Sequence, residues 1–196
     1  MIDIPAPIVL ASSSPTRAEL LSGLAADFEV VEPHIDERAV RDDAPEGLAL
    51  KLATAKARQV AQKRPDALVI GADTLVVCRG RVVGKPLDRE DAVRILEDLT
   101  RNAHKVLTAL HVIAPGGRER SCCVESVVRM RQMQREEIEE YLNRPGVLDK
   151  AGAYELQPDD PNVAEIAGSV TAVMGLPLEE LQRLICELYP DRGRGE

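Results

Sequence analysis

Residues Ile8 to Leu21 read IVLASSSPTRAELL, and this stretch sets the fold class. Ile8 to Ala11 is a short apolar run suited to a buried strand, whereas Leu20, Leu21 and Leu24 return at the spacing of one helix face. Between them, Ser14 is placed to cap the helix by accepting from a first-turn amide. Pro15 fits the first helical position, where a missing N–H costs nothing. A strand that passes through a capped turn into a helix is a building unit of a mixed α/β protein. The same turn sets Ser12, Ser13 and Arg17 beside free helix amides and the positive end of the helix dipole, a chemistry suited to an oxyanion. A serine-rich turn is more often just a cap, so the turn alone leaves both readings open.

Working outward, Phe28 to Val31 reads as a second strand, and EPHIDERAVRDDAPEG (Glu32 to Gly47) as a long loop within which Pro45 opens a helix reaching about Lys63. ALVIGADTLVVCRGRVVGKP (Ala67 to Pro86) predicts a buried strand leading into a hairpin that turns at Arg79-Gly80. Asp88 is a plausible cap for the helix carrying Val93, Leu96 and Leu99. His104 to Ala114 and Cys122 to Met133 predict antiparallel strands joined at Pro115 to Gly117. A short helix over Arg135 to Leu142 is stopped by Pro145-Gly146. Further on, Val163 to Ile166 and Ser169 to Met174 read as short strands around Gly168. Pro177 opens a last amphipathic helix with Leu181, Leu184, Ile185 and Leu188, and the tail DRGRGE (191–196) is expected to fray. No repeat and no Gly-, Pro- or Ser-rich linker divides the chain. The expectation is one domain over residues 1–196, with a mixed central sheet, flanking helices and two lobes.

Composition narrows the function classes. The 196 residues are 44% hydrophobic, enough for a substantial core, and 25 basic against 33 acidic residues give a formal charge of −8. A nucleic-acid groove would need a clearer basic footprint, so no nucleic-acid polymer is expected as partner. No run approaches 18 apolar residues and no leader-like segment is evident, so no membrane is expected and the expected compartment is the cytoplasm. The four cysteines, Cys78, Cys122, Cys123 and Cys186, lack zinc spacing and read as reduced thiols. Aromatics make up 2% of the chain, so a bound base would meet polar edges and aliphatic walls.

Several groups could carry chemistry. Asp73 sits among Leu68, Val69, Ile70, Leu75, Val76 and Val77, where an unpaired carboxylate is expensive; a divalent cation, a lysine or a cleft at a strand end would compensate it. Lys85, in VVGKP, is either a turn lysine or a placed cation. Asp36 and Glu37, in HIDER, are more often a solvated charge cluster than metal ligands, and Lys56, on an otherwise apolar helix, can simply snorkel. In LDKAGAYELQ (Leu148 to Gln157), Asp149 and Lys150 can pair locally, Gly152 permits close backbone approach, and Gln157 can both donate to and accept from a ligand edge. There is no G-x-S-x-G elbow, no Walker loop and no G-x-G-x-x-G after a strand.

Taken in order, LASSSPTRAELL, IDER, GADTLVV, GKP, HKVLTAL, DKAGAYELQ and GSVTAVMGLPL resemble the Maf family of nucleoside triphosphate pyrophosphatases over nearly the whole chain. The resemblance implies an inosine triphosphate pyrophosphatase-like α/β fold with a cleft between two lobes, and a homodimer. It implies hydrolysis of a nucleoside triphosphate to monophosphate and pyrophosphate with a divalent cation, magnesium or manganese. It assigns Asp73 as proton acceptor, with Lys56 and Lys85 in the catalytic set, Glu37 and Asp73 on the metal, and Ser12, Arg17, Lys56 and Lys85 along the phosphate path. Thr74 and Gln157 match the family's dTTP/UTP branch, in which a threonine and a glutamine help select the base. Thr16, the remaining substrate-facing position, departs from the pattern: that branch commonly has arginine there, and the 7-methyl-GTP branch a bulky aromatic. The alternatives that stay open are a 7-methyl-GTP pyrophosphatase and a nucleotide-binding regulator of septum formation.

Overall fold

The structure, a computed structural model, describes residues 4–156 and 160–190. In chain order, strand β1 (Ile8–Ala11) leads into helix α1 (Pro15–Ser22), followed by strand β2 (Glu29–Val31) and helix α2 (Pro45–Ala61). Strands β3 (Leu68–Cys78) and β4 (Arg81–Val83) precede helix α3 (Arg89–Arg101), and β5 (His104–Ile113) and β6 (Glu119–Met130) precede helix α4 (Arg135–Tyr141). Strand β7 (Val163–Ala167) is followed by the single-turn helix α5 (Val170–Val173) and by α6 (Leu178–Leu188). The seven strands form one mixed sheet in the order β2-β1-β3-β5-β6-β7, with β4 paired to β3. β1 runs parallel to both β2 and β3, whereas β3 with β4 and β6 with β7 are antiparallel. This is the mixed α/β fold expected from the opening strand and helix.

By its contacts the chain divides into two compact units. The first comprises residues 1–74, 108–124 and 175–196, and the second residues 75–107 and 125–174. The first has apolar layers on both faces of its strands. Leu10, Leu68, Ile70, Ala72, Leu110 and Val112 pack with Leu21 of α1 and with Leu181, Leu184, Ile185 and Leu188 of α6. On the opposite face, Val9, Val69 and Ile113 pack with Ala57 and Val60 of α2. Alternation along β3 therefore assigns Leu68, Ile70 and Ala72 to the α1/α6 face and Val69 to the α2 face. Gly71 continues the second series, where α2 lies so close that a Cβ would stand 2.6 Å from the Ala53 carbonyl oxygen.

The second unit has its own core, built from Val76 and Cys78 of β3, Val93, Leu96 and Leu99 of α3, Val128 of β6, Ile138 and Tyr141 of α4, and Tyr154. The β3–β4 hairpin turns at Arg79-Gly80 as expected. Both residues have positive φ, 48° and 75°, the conformation that matches a two-residue turn to the twist of its strands. The backbone amide of Gly152, at φ 75°, donates to the Gly84 carbonyl at 3.0 Å, tying the GKP turn to the DKAGAY segment.

Three details differ from the sequence expectation. Ser169 to Met174 is a helical turn: Gly168, at φ 126°, ends β7, and the Ser169 hydroxyl accepts from the Ala172 amide at 3.2 Å. That cap, clamped by Ser126 Oγ on the Ser169 amide at 3.0 Å, outweighs the strand preference of Val170 and Thr171. β6 begins earlier and ends earlier than expected: a tight turn at Gly116-Gly117 starts pairing at once, and the strand closes at Met130, which pairs with Val163 just past a register irregularity at Arg129/Met130. Lys150 pairs with Glu155 at 2.8 Å, not with Asp149. The tail after 190 lies outside the described residues.

Candidate active site

The start of α1 is built as its sequence requires. Ser14, in extended conformation, caps the helix by accepting from the Arg17 amide at 3.4 Å, with Pro15 in the first turn. Ser12, 3% exposed, directs its hydroxyl back to accept from the Ser14 amide at 3.1 Å. These contacts point Arg17 at a fixed set of acceptors: Nε donates to the Gly175 carbonyl at 2.8 Å, Nη1 to Ser12 Oγ at 3.4 Å, and Nη2 to Thr74 Oγ1 at 3.0 Å. Burial pulls the guanidinium below its ordinary pKa, and the charges of Asp73 and Glu37 oppose that shift.

On β3, consecutive residues face opposite ways. Thr74 meets Arg17 on the α1 face, and Asp73 meets α2. Lys56 Nζ lies 2.6 Å from Asp73 Oδ1 and 2.7 Å from Glu37 Oε1, so one ammonium bridges two carboxylates from different parts of the chain. Its side chain is 11% exposed and that of Asp73 is 8%. The lysine is therefore a partner of the acids and not a snorkelling surface group. Burial pushes the Asp73 carboxyl above the ordinary carboxylate range; Lys56 and then Arg17 pull it back, and Glu37 adds to the rise.

The two acids of HIDER have separate tasks. Asp36 caps a 3-10 turn over Glu37–Ala39 by accepting from the Arg38 amide at 3.1 Å, and that turn delivers Glu37 to Lys56. Among the described residues no group of three or more His, Cys, Asp or Glu side chains converges as a metal cage. The pair Glu37 and Asp73, already turned onto one positive charge, still fits magnesium. That ion is commonly held by one or two carboxylates, with water and substrate phosphate completing the shell.

Ser12, Thr16, Arg17, Glu37, Lys56, Asp73 and Thr74 all belong to the first unit. Within it, contacts join Ser12 to Arg17, Arg17 to Thr74, and Lys56 to both acids. Thr16 sits in the first turn of α1, partly buried. Lys85 belongs to the second unit, exposed after β4. Gln157 lies outside the described residues. Sequence reasoning gave no role to Thr108 or Gly175, although both lie in quoted motifs. Thr108 Oγ1 is 3.0 Å from Thr74 Oγ1, and Gly175, at φ 106°, offers its carbonyl to Arg17. The available signal for Thr108 was a hydroxyl inside the apolar run VLTALHVI.

A buried carboxylate bridged by a lysine to a second acid, with a guanidinium nearby at a helix start, gives this α/β protein one cluster of paired charges within its first unit. A model described as Maf-like protein matches residues 7–188, and the chain belongs to that family. A relative from Symbiobacterium thermophilum, called dTTP/UTP pyrophosphatase, is 41% identical over 93% of this chain and 95% of its own length. One from Vibrio parahaemolyticus with the same name is 41% identical over 92% and 96%. A solved nucleoside-triphosphatase / dITP/XTP pyrophosphatase from Mycobacterium abscessus aligns over 65% of this chain and 75% of its own at 18% identity. Its TM-score of 0.41 is too low to bear on fold or function.

Proposed function

We propose that the protein hydrolyses dTTP and UTP at the α-phosphorus, giving the nucleoside monophosphate and pyrophosphate. The observation that carries this reading is the Asp73–Lys56–Glu37 array in a chain that matches dTTP/UTP pyrophosphatases along nearly its whole length. Water attacks the α-phosphorus, the Asp73 carboxylate takes its proton, and the bond to the bridging oxygen breaks as pyrophosphate leaves. Lys56 holds Asp73 in place and offsets its charge. Arg17 and Ser12 bind triphosphate oxygens at the start of α1, where the helix dipole favours anions.

Glu37 and Asp73 would hold a divalent cation, which would neutralise phosphate charge and make water more acidic. Lys85 is assigned to the phosphates. Thr74 and Gln157 are assigned to the base, whose paired donor and acceptor edge an amide can match. The test is purified protein with magnesium and a panel of dTTP, UTP, dCTP, GTP and 7-methyl-GTP, with pyrophosphate and orthophosphate measured separately. The expected result is pyrophosphate from dTTP and UTP. Preference for 7-methyl-GTP would move the protein to the other branch, and no release from any nucleotide would overturn the enzymatic reading.

A further inference from the structure

Thr108 lies on β5, 0% exposed, with Ala109, Leu110 and Val112 buried around it. Its Oγ1 is 3.0 Å from Thr74 Oγ1, and that oxygen also accepts from Arg17 Nη2 at 3.0 Å. A guanidinium can only donate, so one lone pair of Thr74 is committed to Arg17. What remains for a ligand on that hydroxyl depends on Thr108. If Thr108 donates, the Thr74 hydrogen is left to offer; if Thr108 accepts, the hydrogen is used and a lone pair is left. In either case the two fixed contacts hold the Thr74 side chain in one rotamer, and Thr74 in turn holds one arm of Arg17.

Removing the 108 hydroxyl leaves Thr74 with its Arg17 contact alone. The opposite arm of the guanidinium would still be held by Ser12 and its Nε by Gly175. Within this array the loss falls on the Thr74 end, which the proposed function assigns to the base. It would leave the helix start intact.

We propose that Thr108 is a positioning residue for base selection, acting through Thr74 without touching substrate. This rests on the dTTP/UTP reading above. Valine at 108 is close in shape and lacks the hydroxyl, whereas serine keeps it. Wild type, Thr108→Val, Thr108→Ser, Thr74→Val and the Thr74→Val/Thr108→Val double variant are compared by kcat/KM on dTTP and on dCTP, with Tm measured alongside.

The expected result is a fall of about three- to tenfold in the dTTP:dCTP ratio for Thr108→Val, the size of one neutral hydrogen bond. Thr108→Ser is expected to restore the ratio, and the double variant to lose no more than Thr74→Val alone, because residues acting through one contact are not additive. A ratio unchanged in Thr108→Val, or losses that multiply in the double variant, would overturn the proposal while leaving the pyrophosphatase reading intact. If Thr108→Val does not fold, an altered ratio in Thr108→Ser together with an unaltered one in Thr74→Val would also overturn it. Absence of dTTP hydrolysis by wild type would instead overturn the parent reading.

Discussion

Asp73 and Glu37 share one ammonium but differ in exposure, and that difference separates their roles experimentally. Asp73→Asn keeps the shape, leaves Lys56 paired with Glu37, and removes the base. Pyrophosphate release is expected to fall by about a hundredfold or more, with the melting transition nearly in place. Equal turnover would remove Asp73 from the reaction. Lys56→Met leaves a mostly buried carboxylate without its partner. It is expected to cost about 3 kcal/mol in denaturant unfolding as well as activity. Glu37, with a side chain 57% exposed, contributes little to stability: Glu37→Gln is expected to cost under ~1 kcal/mol. Its effect is expected in the magnesium titration, where the half-saturating concentration rises; an unchanged titration would take Glu37 off the metal.

At the scale of elements, β3 and α2 build the site together. The strand places Asp73 and Thr74 on opposite faces, and the helix reaches Asp73 because Gly71 lets it come close. Gly71→Ala sets a methyl 2.6 Å from the Ala53 carbonyl oxygen and 2.8 Å from Ala57 Cβ, so α2 must move outward and carry Lys56 with it. We expect a loss of about 1–3 kcal/mol, measured by denaturant unfolding, together with lower turnover. The α1 start was legible from Ser14 and Pro15 alone, and so was the Asp88 cap, which accepts from the Asp91 amide at 2.7 Å, because caps are local chemistry. The helical turn at Val170–Val173 was not. There the β-branched residues pointed to strand, and a cap clamped by Ser126, 43 positions earlier, decided otherwise.

Across the whole molecule, two of the three histidines are buried, one in each unit. His104 meets Tyr154 Oη at 2.9 Å, and His111 lies between Thr54 Oγ1 and Glu119 Oε2, both at 3.1 Å, with Arg58 on the same glutamate. Burial holds both imidazoles below the ordinary histidine value; the Glu119 contact only partly opposes this at His111. The unfolded chain therefore binds more protons between the folded values and about 6.5, so stability is lost as pH falls through that window. Denaturant midpoints measured without metal from about pH 7.5 to about pH 5.5 are expected to decline, and His111→Gln to decline less; a flat profile would contradict the sign. None of the long-range partners, Thr54 to His111, Thr74 to Thr108 or Arg17 to Gly175, could be read from spacing, because each joins elements that only the completed sheet brings together. Asp73 was visible because a carboxylate in apolar surroundings demands a partner, and Arg17 because it sits at a capped helix start, whereas Glu37 and Lys56 gained roles only through the family resemblance. The most direct test of the function they build is to hydrolyse dTTP in heavy-oxygen water and find the label by mass spectrometry. Attack at the α-phosphorus puts the heavy oxygen in dTMP and none in pyrophosphate; label in pyrophosphate, or release as orthophosphate, would contradict the account.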